Sequence, residues 1–180
     1  MSQSSHPAAE NLFYLQQGID LIRDLSPEAY AGDPADRARR GVGAHFRHCL
    51  DFYRLFLDGV ASGRIDYCAR RRETRVEVDR EYSIRAFEQV AKELAELDPS
   101  RVSAEVEVRV ERSDAGVLDD ASDSATCRSS VMRELQFMVS HTVHHYAIIK
   151  LHLKLQGFDV AGLDQFGVAP STRSYWQRTG

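Results

Sequence analysis

Little in this chain points to export, a membrane or nucleic acid. Its three cysteines, Cys49, Cys68 and Cys127, are odd in number, far apart and without a C-x-x-C pair. That excludes a disulfide framework as the organising device and implies reduced thiols. No apolar run approaches the roughly 18 residues that a membrane span needs. The first residues, Met1 to Pro7, lack a charged segment followed by an apolar one, so no secretory signal is expected and the protein is read as cytoplasmic. An excess of basic charge is also missing. The formal net charge of −4 and a pI near 6.0 argue against broad binding to nucleic acid or anionic membrane. Repeats and low-complexity segments are absent as well.

What is present is a chain of 180 residues, 43% hydrophobic, long enough for one domain with its own core. Leu12, Phe13, Leu15, Ile19, Leu21 and Ile22 form a helical stripe that ends near Ser26 and Pro27. Residues 26–40 read as a surface loop. A second helix is expected from about Val42 to Val60, with His45, His48, Phe52, Leu55 and Phe56 sharing a face and glycines beyond it. The basic stretch from Arg64 to Arg75 reads as a solvated connection paired with Glu73 and Glu77; the sharper reading makes it an anion clamp, because arginine takes carboxylates and phosphates bidentately. A third helix is expected from about Tyr82 to Leu97, with Ser83 a candidate cap and Asp98-Pro99 its end.

The period then changes. Val102, Ala104, Val106, Val108 and Val110 alternate with polar residues, which predicts a half-buried strand, and residues 125–128 are a weaker pairing candidate. A small β-hairpin inserted before the last long helix accounts for both. Ser129 or Ser130 can cap that helix, which runs uninterrupted by Pro or Gly as far as Gly157. Its apolar residues spread around most of its circumference, so it belongs in the middle of a helical bundle. Residues 158–180 read as a folded-back tail, with Phe158, Leu163, Phe166 and Trp176 available to pack on the bundle.

The centre of that last helix holds His141, His144 and His145, with His152 two turns on. His141 and His145 lie about 40° apart on one face, so two imidazoles can reach one ion at little ordering cost. A third could come from His45 or His48, which periodicity does not separate. His144 is about 60° around from His141 and suits a supporting role or an alternative ligand. His152 is about 10 Å further along the axis from His145, too far to share an ion. Position 142 is Thr, so the H-E-x-x-H zinc-protease signature is absent. Cys49, beside His48, reads as an inert small hydrophobe on a packed helix.

Val42-Gly43 with His48 five residues after the glycine, then His141-Thr142-Val143-His144-His145 in the last long helix and Gly157 after it, resembles the DinB-like (DinB/YfiT) superfamily over about residues 10–157. The resemblance implies an all-α four-helix bundle, a homodimer, and a divalent metal, zinc or nickel, held by His48, His141 and His145. It also implies chemistry on a small molecule. Better-understood relatives include thiol-dependent S-transferases and an isomerase that use mycothiol, bacillithiol or glutathione, and many members have no assigned reaction. On that basis the chain reads as a metal-dependent S-transferase with a low-molecular-weight thiol cosubstrate, or as a small-molecule hydrolase, with Arg70 and Arg72 as contacts for substrate carboxylates. The alternative is a non-catalytic, metal-binding, stress-linked dimeric interaction protein. The tail from Phe166 to Thr172 and the segment Ile65-Asp66-Tyr67 look like features of an uncharacterised branch.

Overall fold

In the computed structural model of the chain, residues 6–33, 41–109 and 126–179 are described. The expected turn between the two strands, Val110 and Ala125 lie outside them. The described chain is mostly helical, with one small sheet. Helix α1 (Ala9–Asp24) buries Tyr14, Leu15, Gly18, Ile19 and Ile22 on one face, as the apolar stripe dictates. The loop expected after it is not all loop. The Ser26 hydroxyl accepts from the Ala29 amide at 3.1 Å and Pro27 sits at the first helical position, so a short helix, α2 (Pro27–Ala31), buries Ala29 and Tyr30. Helix α3 (Gly43–Val60) carries both of its histidines where expected.

The basic connection needs two corrections. Arg64–Asp66 is a strand, β1, too short for its alternation to show in sequence. Gly59 lets it close on α3, since a Cβ there would meet the Arg64 carbonyl at 2.6 Å. In addition, Glu73 and Glu77 are held by arginines of α3 rather than by the connection itself: Arg54 reaches Glu73 at 2.8 Å and Arg47 reaches Glu77 at 2.6 Å. Helix α4 (Arg75–Val78) follows, then α5 (Arg80–Ala95). The cap of α5 is Asp79, which accepts from the Tyr82 amide at 2.9 Å; Ser83 is buried inside the helix.

Strand β2 (Glu105–Arg109) starts later than the alternation from Val102 predicts, because the Val102 amide closes a turn onto the Pro99 carbonyl at 3.4 Å, and it pairs antiparallel with β3 (Thr126–Ser130). It also pairs parallel with β1, Ile65 opposite Val108, so the sheet has three strands in the order β1-β2-β3 and not the two of a hairpin. Ile65, Val106 and Val108 are buried. Helix α6 (Val131–Leu155) is capped by Ser130, whose hydroxyl accepts from the Arg133 amide. Ser129 donates instead to Glu134. Helix α6 packs on α1 and α3, and α5 packs on the same two helices. Between them lie Tyr14, Phe46, Leu50, Phe56, Phe87 and Tyr146, all with no exposed surface.

The tail folds back in part. Leu163 and Phe166 are buried, and Phe166 stacks on Tyr146 at 4.3 Å between ring centroids. Trp176 does not pack. It lies 45% exposed on a terminal helix, α7 (Pro170–Thr179), that buries none of its residues. No helix among the described residues is long and apolar enough to cross a membrane.

Candidate metal centre

Two helices bring the histidines together. On α6 the i, i+4 spacing places His141 and His145 on one face, and the rotation of that helix is set by the residues beside them. Thr142 donates its hydroxyl to the Tyr53 oxygen at 3.3 Å, and Tyr53 donates to Asn11 at 3.1 Å, a buried chain that crosses from α6 through α3 to α1. One turn on, on the same face as Thr142, Tyr146 donates to the Tyr14 carbonyl at 2.9 Å. Buried polar groups need partners, so these bonds define one orientation of α6. The chain of bonds was not foreseen. The signal for it was the polar Asn11 within the apolar stripe of α1.

With α6 so oriented, His48 of α3 meets His141 at 3.1 Å, Nε2 to Nε2. One nitrogen from each of His48, His141 and His145 lies within 4.8 Å of the others, and the three ring centroids are 4.5, 4.7 and 4.9 Å apart. Two donors bound at zinc distances and a tetrahedral angle sit about 3.3 Å apart, so small side-chain adjustments suffice for all three to share an ion. His45 is not part of this group. Its Nδ1 lies 3.2 Å from Nδ1 of His145, a supporting place behind the cluster. His144 is exposed, its ring edge-on to His145 at 5.2 Å, and His152 bonds Gln156 at 2.6 Å.

Burial sets the charge state of the cluster. His141 is pulled down to about 4, first by desolvation and then by the charge that His48 would carry. His145 falls to about 3 through desolvation and then through His141 and His48. His48 is lowered by burial, then by Arg70 and Arg47, and His45 by burial and its histidine neighbours. The rings are therefore neutral near pH 7, the form that offers a lone pair to a cation. Neutral nitrogens, convergence and an apolar surround together fit a divalent ion. The surround is an aromatic wall: Phe52, which the periodicity puts on the histidine face of α3, and Phe137 lie 4.2 Å and 5.6 Å from His141 between ring centroids, and Tyr67 stacks on Phe52 at 5.1 Å.

Of the two arginines singled out, Arg70 reaches the cluster, donating from Nη1 to Nδ1 of His48 at 3.3 Å. Arg72 is exposed, with φ at 50°, and no described hydrogen bond joins it to the histidines. Phe137 and Tyr67 also line a cavity of about 670 Å³ with Arg128, Arg133, Cys127 and Glu134. Glu134 is buried there, accepting from Tyr67 at 3.0 Å and from Ser129 at 2.5 Å. Cys49 is fully buried and desolvation pushes its thiol well above the usual range, so it is no nucleophile.

Neither the curated proteins nor the solved structures contain a match to this chain. The sequence model of the DinB family matches residues 1–177, which is nearly the whole chain and includes all of the clustered histidines, and the chain therefore belongs to the DinB family.

Proposed function

We propose that this chain is a metal-dependent enzyme acting on a small molecule, with His48, His141 and His145 holding one divalent ion, zinc or nickel. The single observation that carries this reading is the convergence of three neutral ring nitrogens within 4.8 Å of one another. Three protein ligands leave a position for substrate, the arrangement of catalytic more than structural sites. When bound, the ion supplies Lewis acidity that lowers the pKa of a thiol or water beside it. The chain contributes the rest. The aromatic wall of Phe52, Phe137 and Tyr67 limits water, and the cavity beyond Phe137 offers room for an electrophile. Arg70, with Arg72 further out, meets the carboxylates of a cosubstrate such as mycothiol, bacillithiol or glutathione, giving S-transfer; hydrolysis is the variant in which water replaces the thiol.

In this reading residues 1–180 form one domain built on a four-helix bundle of α1, α3, α5 and α6, with 158–180 as its tail, working in the cytoplasm as a homodimer. Leu151 and Leu155, 58% and 78% exposed on the outer side of α6, favour the dimer and are equally what a non-catalytic interaction protein would present. Metal analysis of the purified protein, then calorimetric titration of each thiol into metal-loaded wild type and His145→Ala, tests the proposal. The expected result is one ion per chain and thiol binding that disappears in the variant. Metal binding without any thiol response, and without metal-dependent hydrolysis, would leave the interaction protein as the better account.

A further inference from the structure

A second cavity, of about 570 Å³, lies between the start of α1, the first half of α6 and the start of α7. On α6 it is bounded by Gln136, Val139, Ser140 and Val143. The helical period turns these residues away from His141 and His145, so the cavity opens on the opposite side of α6 from the histidine cluster. Its size is within the range of small-molecule sites. The wall facing α6 is fixed in place. Tyr14 donates to the Val168 carbonyl at 2.6 Å, and Arg173 pairs with Glu10 at 2.6 Å while its guanidinium lies 3.9 Å over the Phe13 ring. These contacts tie the tail to α1 and shape the cavity before anything enters it.

One polar side chain in the lining lacks half of its partners. Asn11 is 1% exposed, and its side-chain oxygen accepts from Tyr53 at 3.1 Å. A carboxamide also carries two N–H donors, and no described hydrogen bond takes them up. A buried donor without a partner costs free energy, so an acceptor from outside the chain is favoured at that point. The lining also fixes the charge of that acceptor. Among the described residues that bound the cavity, the only ionised side chain is Glu10. A carboxylate or phosphate would be desolvated there without a counter-charge, whereas a neutral carbonyl oxygen would not. The rest of such a molecule would lie against Leu135, Val139 and Val143.

The geometry points to a binding site for a neutral small molecule with an apolar body and a carbonyl oxygen, a ketone, ester or amide, to which the Asn11 carboxamide donates. The site is separate from the metal centre and stands without it.

The test is titration of octan-2-one into the full chain, followed by nitrogen-15 NMR at the assigned side-chain amide of Asn11, with octanoate as the charged comparison. The amide signal is expected to shift saturably with a Kd of about 1 mM or tighter, within what a ligand of that size can supply. Octanoate is expected to bind at least about tenfold more weakly, for want of a counter-charge. Asn11→Asp keeps the acceptor for Tyr53 and loses the donors, so it should bind octan-2-one about tenfold more weakly, the size of one hydrogen bond. Val139→Phe fills the cavity from its α6 wall without altering Asn11 and should abolish the shift, so the test stands even if Asn11→Asp does not fold. No saturable shift, equal binding of octanoate, or undiminished binding by either variant overturns the proposal. An Asn11 signal that moves with protein concentration and not with octan-2-one also overturns it, and assigns the cavity to contact with a second copy of the chain. Each of these results leaves the metal reading standing.

Discussion

Replacing Gly18 by Ala probes the contact that orients the metal-bearing helix. Gly18 is in the middle of α1, where alanine would normally gain about 0.5–1 kcal/mol through helix propensity. Here a Cβ would overlap the hydroxyl of Tyr146 and sit 3.1 Å from its Cζ. The ring cannot retreat, because it is fully buried with Phe166 stacked at 4.3 Å and Phe46 edge-on at 6.0 Å. Relief has to come from α1 moving away from α6, and overpacking of this kind costs about 1–3 kcal/mol. The net expectation for Gly18→Ala is destabilisation by about 1–2 kcal/mol, read by urea denaturation, with a fall in Tm of about 2–4 °C per kcal/mol for a chain of this size. Tyr146→Phe alone should cost about 1 kcal/mol, from the lost bond to the Tyr14 carbonyl. In the Gly18→Ala background it should cost nothing or stabilise, because it removes the overlapping atom, giving a coupling of at least about 1 kcal/mol. Since Tyr146 follows His145, Gly18→Ala should also weaken metal binding, and the double variant should recover part of it. A Gly18→Ala protein as stable as wild type, or two substitutions that simply add, would refute this account of how α6 is held.

Acid should destabilise the metal-free protein through its histidines. The folded values of His141 and His145, about 4 and about 3, lie below the unfolded value of 6.5, so between those limits the unfolded chain binds more protons and stability falls as pH is lowered from 7. Discounted for solvent screening and for the coupling within the cluster, the loss by pH 4.5 is about 2–3 kcal/mol. Denaturation curves at pH 7.5 and 4.5 should show that loss shrinking in a His141→Gln, His145→Gln variant; an unchanged difference would count against neutral buried rings. A thiol reagent should label exposed Cys127 rapidly and Cys49 only on unfolding, because Cys49 is buried and its thiolate strongly disfavoured. Labelling of Cys49 at the rate of Cys127 under native conditions would contradict the packing of α3.

Local periodicity was enough to read the four long helices and the β2 strand, and it placed His141 and His145 on one face. These are properties of neighbours three and four residues apart, and they are settled before the chain folds. The DinB resemblance, carried by His48 and the α6 histidines, holds over residues 1–177. Other features depended on partners distant in sequence. Three residues of β1 become a strand only because β2 lies beside them, some forty positions on. Ser83 looks like a cap but is buried, because Asp79 takes that role first. Trp176 looks like core but stays 45% exposed on a helix that buries none of its residues, and it is Phe166 that stacks on Tyr146. The difference between His45 and His48 is of the same kind. Both sit on α3, one turn apart, and nothing local separates them. Which one meets His141 depends on how α3 is turned against α6, and that angle is set by Tyr53, Thr142, Tyr146 and Gly18 acting across three helices. Spacing along a helix is encoded by its own residues, whereas the meeting of two helices is decided by the packing of all the side chains between them.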